Sequence, residues 1–397
     1  VNSERSASQD VPYNSVGGRE LMRSLILVLS PIFRFTVCLA VLLSITLSGL
    51  TRQAYAVETV TLLDRGEPHA SMVTDNGVLW VSQNRLDFNP NYRLQAYSIN
   101  GQLLDEVRLS HGMSSMTLAS PGVIMVTGFN PESRLTDYTT ARLEGGKIKI
   151  KTREIALGGF INFWIATVNG QHYFADMGGN PDDDQLGVPA QTIFSSTGTN
   201  ARYLSTRLRM PLAGLGLNNK LYLVSHEAIG SAKSSLVEVD PVSMQKRVLK
   251  ASATAGYADL KVLPGTSDLV SIARDENKLV IIDSRSGEVR RELSTKGYTR
   301  SFDFYGHCVL AGDDQKNIVE IFDLKTESNV AFMAEEVQLP AAEFSGIKSI
   351  AVDKTSGTIF ARASFPCNPM VTVCNQDTNR VISFGPAAAD RLRAACN

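Results

Sequence analysis

The chain holds five histidines and several clustered acidic and amide residues, and these are the groups whose types suit chemistry. His69 and His111 each precede an apolar run, and His226 ends another, with Asp87, Asp176 and Glu227 in comparable positions. Imidazole beside carboxylate is a donor set for a divalent metal. The competing reading is three separate histidines held by ordinary hydrogen bonds. The stretch Gly178-Gly179-Asn180-Pro181-Asp182-Asp183-Asp184 is rich in oxygen ligands, and Asp182 and Asp184 suit Ca²⁺. It lacks the D-x-[DN]-x-[DN]-G spacing of an EF-hand loop, so a solvated acidic loop is the alternative. A divalent metal, Ca²⁺ first, is the cofactor these residues suggest.

A second set is amide and aromatic. Asn-Pro recurs at Asn89-Pro90, Asn130-Pro131, Asn180-Pro181 and Asn368-Pro369, with Phe88 and Phe129 directly before two of them and Asp87 beside the first. Asn-Pro starts turns; repeated with aromatic neighbours it also suits a recognition edge for a ligand or a protein. Other chemistries lack their residues. There is no C-x-x-C-H, no G-x-S-x-G and no H-E-x-x-H, and Gly145-Gly146 sits between two strand-like runs rather than before a helix. Trp80 and Trp164 are the chain's 2 tryptophans, few for a tryptophan-rich quinone site.

What must position these residues is a repeat. Tight turns at Asp75-Asn76-Gly77, Ser120-Pro121-Gly122, Asn169-Gly170, Asn218-Asn219, Pro264-Gly265, Tyr305-Gly306 and Ser356-Gly357 are each followed by a β-rich run such as VLWVSQ, KLYLVS or CVLAGD. Further strands end near Asp240, Asp283 and Asp323, a period of about 40 residues. Four strands per unit, seven times, describe an all-β, seven-bladed β-propeller of four-stranded antiparallel blades.

The segments LVEVDPVSMQKRV, LVIIDSRSGEVRREL and IVEIFDLKTESNV resemble repeats of the broad YVTN, NHL and quinoprotein amine dehydrogenase-like propeller group. The resemblance implies the fold. It spans enzyme subunits, lactonases and binding modules, so it does not choose an activity.

The last unit supplies three strands and then AAADRLRAACN, which is no strand; the run from Val57 to Asp64 is expected to complete it and close the ring. Strand order puts the first and third turns of each blade on one face, called the bottom. Connections in blades 5 and 6 on the top face are short, at Asp275–Asn277 and Asp314–Asn317. Those of blades 7, 1, 2 and 3 are expected to be long, with the blade 2 loop at 129–137, and to form one crescent.

Phe35 to Leu50 is almost wholly apolar, follows Arg23 and Arg34, and precedes Ala54-Tyr55-Ala56. That is the pattern of a secretory signal, with cleavage expected after Ala56. Residues 1–21 read as a leader upstream of a start at Met22, 22–56 as the signal and 57–397 as the propeller, with an expected periplasmic or secreted address. No stable membrane span is expected after cleavage.

Four cysteines then remain, and an exported chain favours disulfides. Cys367 and Cys374 share the long top loop of blade 7, so they are expected to pair. Cys308 follows a bottom turn, and the tail leaves blade 7 at the bottom, so Cys308–Cys396 is the second expected bond; a free buried thiol at Cys308 is the alternative.

Lys+Arg 39 against Asp+Glu 40 leaves a formal charge of −1, a balance that does not favour nucleic acid. Three functions stay open: an exported binding or scaffold propeller engaging a protein partner or small ligand through the crescent; a metal-dependent hydrolase or lactonase with its site at the top of the axis; and a non-catalytic subunit of a periplasmic dehydrogenase.

Overall fold

The structure is a computed structural model, and it describes residues 59–66, 71–83, 92–112, 115–133, 135–155, 162–176, 190–195, 201–208, 211–227, 231–243, 245–325, 333–338, 346–364 and 379–397. Short apolar runs broken by Asn- and Gly-containing turns fold here into seven four-stranded antiparallel sheets. The chain opens with β1 (Thr59–Gly66). Blade 1 is β2 (Met72–Asp75), β3 (Val78–Gln83), β4 (Arg93–Ser98) and β5 (Leu103–Arg108). Blade 2 is β6 (Ser115–Ser120), β7 (Val123–Asn130), β8 (Leu135–Glu144) and β9 (Lys147–Ile155). Blade 3 is β10 (Asn162–Val168), β11 (Gln171–Asp176), β12 (Ala190–Ser195) and β13 (Ala201–Leu208). Blade 4 is β14 (Pro211–Leu217), β15 (Lys220–His226), β16 (Ser234–Val239) and β17 (Lys246–Ser252). Blade 5 is β18 (Tyr257–Val262), β19 (Leu269–Ala273), β20 (Lys278–Ile282) and β21 (Val289–Ser294). Blade 6 is β22 (Thr299–Tyr305), β23 (Cys308–Asp313), β24 (Ile318–Asp323) and β25 (Met333–Gln338). Blade 7 takes β26 (Gly346–Val352), β27 (Ile359–Ser364) and β28 (Asn379–Phe384) from the end of the chain and β1 from its beginning.

The closing strand pairs antiparallel with β28, setting Thr59 against Phe384 and Thr61 against Ile382. Blade 1 also grips blade 7 directly: Thr74 Oγ1 donates to the Val352 carbonyl at 2.8 Å, and Gly77 N donates to Asp353 Oδ2 at 3.1 Å. The first turn of blade 1 places Asn76 at φ 49° and Gly77 at φ 76°, the left-handed pair that matches the twist of a two-residue hairpin.

Middle strands are covered on both faces, which is why their sequences are continuously apolar rather than alternating. All five residues of β19 and all six of β23 are buried. Outer strands such as β17 and β21 are mostly exposed or half-exposed. Apolar clusters fill the seams between neighbours. Trp80 and Leu94 meet Met116, Ile124 and Ile148 between blades 1 and 2; Tyr257 and Val280 meet Tyr222 and Leu236 between blades 4 and 5; Leu79, Val81 and Tyr97 meet Phe360 and Val381 between blades 1 and 7. Tyr138 lies 6.0 Å from Phe174, ring to ring, across blades 2 and 3.

The strand ends at Asp240 and Asp283 carry a repeated turn. Asp240 Oδ1 accepts from Val242 N and Ser243 N at 2.8 and 2.9 Å, and Asp283 Oδ1 from Arg285 N and Ser286 N at 2.7 and 2.9 Å. These are Asx turns, the reason Asp recurs at this step of the repeat.

The tail that is no strand is a helix, α1 (Pro386–Cys396), with Pro at its first turn, where a missing N–H costs nothing. Its Ala388, Leu392 and Cys396 bury against Tyr305, Cys308 and Phe384 beneath blades 6 and 7. Cys308 and Cys396 are joined, as the face assignment expects. Cys367 and Cys374 lie outside the described residues.

Candidate functional site

The innermost strand of every blade faces a central channel of about 1130 Å³. Its wall is uneven. Blades 1 to 4 line it with small, hydroxyl and apolar residues, among them Thr74, Thr117, Thr167, Gly214 and Gly216; blades 5 to 7 supply Asp259, Lys261, Asp303, Lys354 and Arg362.

The innermost strands share a recurrent backbone device. In blades 4 to 7 the pairing of the innermost strand with its neighbour slips between Pro211 and Ala213, Ala258 and Leu260, Thr299 and Ser301, and Ile347 and Ser349. Each slip leaves one extra residue, a β-bulge, and a bulge re-aims its side chain. The bulged residues are Leu212, Asp259, Arg300 and Lys348, with Asp259 at φ 44°. Three of the four are charged.

Arg300 and Lys348 converge on one carboxylate. Arg300 Nε is 3.0 Å from Asp314 Oδ2, while Lys348 Nζ donates to Asp314 Oδ1. Asp314 stands in the tight β23–β24 turn, and its carbonyl oxygen would lie 1.8 Å from a Cβ at position 346, so the start of β26 requires glycine there. Beside this group is Arg362 on β27, paired in register with Ser349. Burial lowers the Arg362 pKa to about 10; Arg300 pushes the same way and Asp314 opposes.

Deeper in the channel Asp303 ties blades 6 and 7. Its Oδ2 accepts from Val352 N at 2.8 Å, and its Oδ1 accepts from Phe304 N at 2.8 Å and Lys354 Nζ at 2.7 Å. Burial pushes its pKa up, but Lys261 and Lys354 outweigh that and hold the carboxyl below its ordinary value. Lys261 Nζ lies 4.0 Å from Asp303 Oδ1 and 5.0 Å from the Phe302 ring centre.

The residues singled out from the sequence fall elsewhere. His111 is fully buried; its Nδ1 donates to the Gly112 carbonyl at 2.7 Å, so Nε2 accepts from Thr139 Oγ1 at 2.7 Å. His226 sets Nδ1 on the Ser231 carbonyl at 2.8 Å and Nε2 on the Tyr257 carbonyl at 2.5 Å. Both rings are engaged through both nitrogens by the fold, as the reading of separate hydrogen-bonded histidines expects for these two. Among the described residues no three His, Cys, Asp or Glu side chains gather to hold a metal ion. Asp176 ends β11 opposite Asn162 and Gln191. His69, Asp87, Phe88, Asn89, Asn180, Asp182, Asp184 and Asn368 lie outside the described residues.

Blade 2 departs from the expected crescent. The stretch 129–137 is not a long loop: β7 runs through Phe129, opposite Thr136, to Asn130, and β8 begins at Leu135. The buried Asn130 side chain explains the tight turn. Its Oδ1 accepts from Glu132 N at 2.9 Å and its Nδ2 donates to Asp137 Oδ2 at 2.9 Å, an Asx turn locked from inside. At this Asn-Pro the turn reading holds.

The charged wall was not singled out by sequence. Its one signal is a cation inside an apolar run, as Arg362 is in Ile359-Phe360-Ala361-Arg362-Ala363.

No family model matches the chain, and no curated protein matches it. Among solved structures it is similar to streptogramin B lyase, at 12% identity over 83% of this chain and 97% of that one, TM-score 0.57. It is similar to the Dos1 propeller at 8% identity over 83% and 94%, TM-score 0.52, and to Chaetomium thermophilum Raptor at 12% identity over 81% and 29%, TM-score 0.51. At these identities the likeness is one of fold, a β-propeller.

Proposed function

We propose that this chain is an exported binding propeller that holds a protein partner or ligand on its upper face, around the sector of blades 7, 1, 2 and 3. The observation that carries this reading is the asymmetry of the upper connections. In blades 5 and 6 they are tight: Ala273 to Lys278 and Asp313 to Ile318. In blades 1, 3 and 7 they run from Gln83 to Arg93, from Asp176 to Ala190 and from Ser364 to Asn379. Blade 4 is intermediate, from His226 to Ser234; blades 1 and 3 flank the tall β7–β8 hairpin of blade 2 and blade 7 adjoins blade 1, so the longest connections stand on one side of the ring. Recognition concentrates where long connections are carried by a rigid scaffold. The apolar run before Ala54-Tyr55-Ala56 supports export.

A binding role agrees with the chemistry of the described wall. Asp303 on the channel wall and Asp314 in the β23–β24 turn are engaged by lysines, Arg300 and backbone N–H groups, and several of these contacts join blades, so they act first as ties. The test is cross-linking of the full protein in envelope extract, followed by mass spectrometry. Replacing 84–92 or 365–378 by a short turn should abolish a specific cross-linked species that survives shortening of the bottom turn at 241–245. Equal loss or equal retention in both classes of variant overturns the upper-face assignment.

A further inference from the structure

We infer that the outer strand of blade 2, β9, is a docking edge for an extended acidic segment of a protein partner, whose carboxylates seat on Lys149 with Ile150 N and on Lys151 with Thr152 N. This goes beyond the upper-face reading proposed above, since none of the long connections takes part.

The first ground is a carboxylate that the edge already holds. Asp105, from the outer strand of blade 1, accepts through Oδ1 from Lys147 Nζ at 2.9 Å and through Oδ2 from Ile148 N at 2.8 Å. The Ile148 N–H, then Lys147, hold this carboxyl below its ordinary pKa. A lysine and the next backbone N–H thus form one seat for an ionised carboxylate. Ile148 N points away from β8. The two strands pair without a register shift, and in a regular antiparallel ladder outward N–H groups recur at every second residue. Ile150 N and Thr152 N therefore face outward too, each preceded by a lysine. Among the described residues no carboxylate pairs with Lys149 or Lys151.

The second ground is charge. Lys147, Lys149, Lys151 and Arg153 alternate along β9, so they share one face. Lys149 and Lys151 are exposed. Their register partners on β8 are Arg142 and Thr140; the carboxylate of Glu144 lies opposite Lys147 and is 3.3 Å from Arg142. No other described outer strand alternates cations in this way. β5 carries Asp105 and Glu106, β21 Glu292, and β25 Glu335 and Glu336. On β17 Arg247 is taken by Glu238 at 2.7 Å.

The third ground selects the occupant. The seats repeat every two residues, about 7 Å, which is the spacing of alternate side chains on an extended chain. A segment with Asp or Glu at alternate positions fills both open seats, whereas a lone small carboxylate meets one. A second copy of β9 brings the same row of cations, and like charges set opposite each other repel. Ile150, 41% exposed on the other face of the strand, gives the intervening residues an apolar neighbour.

The experiment titrates the full protein with a labelled decapeptide alternating Asp and Thr, with its isomer carrying all Asp in one block, and with phosphatidylglycerol vesicles. The alternating peptide should bind, more weakly as salt rises, and the blocked isomer should bind less well. Lys149→Gln combined with Lys151→Gln should weaken binding at least tenfold, and Lys250→Gln on β17 should leave it unchanged. Asp105→Asn vacates the first seat and should tighten binding about threefold. If the double variant does not fold, Lys151→Gln alone gives the reading at about threefold. No binding of the alternating peptide, equal binding of the isomer, full retention in the lysine variants, or no gain in Asp105→Asn overturns the inference. Vesicle binding lost in the lysine variants, without peptide binding, assigns the edge to a membrane and overturns the protein partner. Variants shortened at 84–92 should bind the peptide as wild type does, so failure of the upper face and failure of this edge are separable.

Discussion

Cys308 at the start of β23 and Cys396 at the end of α1 stand with their Cα atoms 5.5 Å apart and are joined by a disulfide across a sequence separation of 88. The bond fastens the helix beneath blades 6 and 7, where both cysteines are fully buried. Closing so long a loop in the unfolded chain should stabilise the fold by about 3–5 kcal/mol. Cys396→Ala should lower the urea midpoint accordingly, and wild type in strong reductant should approach it. An unchanged midpoint in both would show that the helix docks without the bond.

The joint between the ends of the chain should be cooperative with the whole ring. Leu62 of β1 packs against the cluster of Leu79, Phe360 and Val381. Leu62→Ala is expected to cost about 2 kcal/mol, the low end of the core range because Leu62 is only half-buried. Deleting 57–63 should unfold β28 and blade 1 together, and hydrogen exchange would report loss of protection in both. Protection retained in blade 1 would mean the ring does not depend on its closing strand.

His111 makes stability depend on pH. Burial is the largest influence and lowers its pKa from 6.5, although the Gly112 carbonyl and Asp137 pull the other way. The neutral ring is therefore favoured on folding, and the unfolded chain binds more protons below that value. Its contribution is complete above about pH 6.5 and falls away as pH drops through the folded pKa. Between pH 7 and 5 wild type should lose stability faster than His111→Gln. Parallel pH curves would remove His111 as the cause.

Asp303 should matter more than an exposed ion pair. Removing it leaves Lys354 and Lys261 facing each other on the channel wall and strips acceptors from Val352 N and Phe304 N. A fully buried pair broken this way costs about 3–5 kcal/mol. Lys354 is 54% exposed, so about 2 kcal/mol is expected for Asp303→Ala. Chemical denaturation measures it, and a loss indistinguishable from zero would mean water replaces the carboxylate.

The ring was legible because its signals are local. Turn pairs such as Asn76-Gly77 and Asn218-Asn219 and the apolar runs after them repeat at a steady spacing, and that spacing has few solutions besides blades. The Cys308–Cys396 pairing was legible too, since counting strands puts both residues on one face. The cluster on Asp314 was not. Arg300 and Lys348 share Asp314 because two bulges align across a seam, and nothing in Thr299-Arg300-Ser301 announces a bulge. The histidines left two readings open for a similar reason. His111 and His226 look like ligands by type, but their partners are backbone carbonyls and Thr139, which no spacing rule brings into view.

Two glycines separate backbone conformation from close approach. Gly122 lies at φ +78° with nothing within 4 Å of the place its Cβ would take. Gly122→Ala therefore incurs only the left-handed backbone cost, about 1 kcal/mol. Gly306 lies at φ +54°, and a Cβ there would stand 2.1 Å from the Cys396 carbonyl oxygen. That carbonyl also accepts from His307 N at 3.2 Å, so the end of α1 sits directly on this turn. Gly306→Ala must push the helix terminus away, losing that hydrogen bond and part of the packing of Leu392 and Cys396 as well as the backbone term. About 3 kcal/mol is expected, from strain plus partial loss of a buried apolar contact. Urea denaturation of both variants gives the two costs, and thiol labelling under mild reductant should find Cys396 more reactive in Gly306→Ala alone. Equal destabilisation of the two would mean that α1 has room to move and that the contact at Cys396 does not hold the tail.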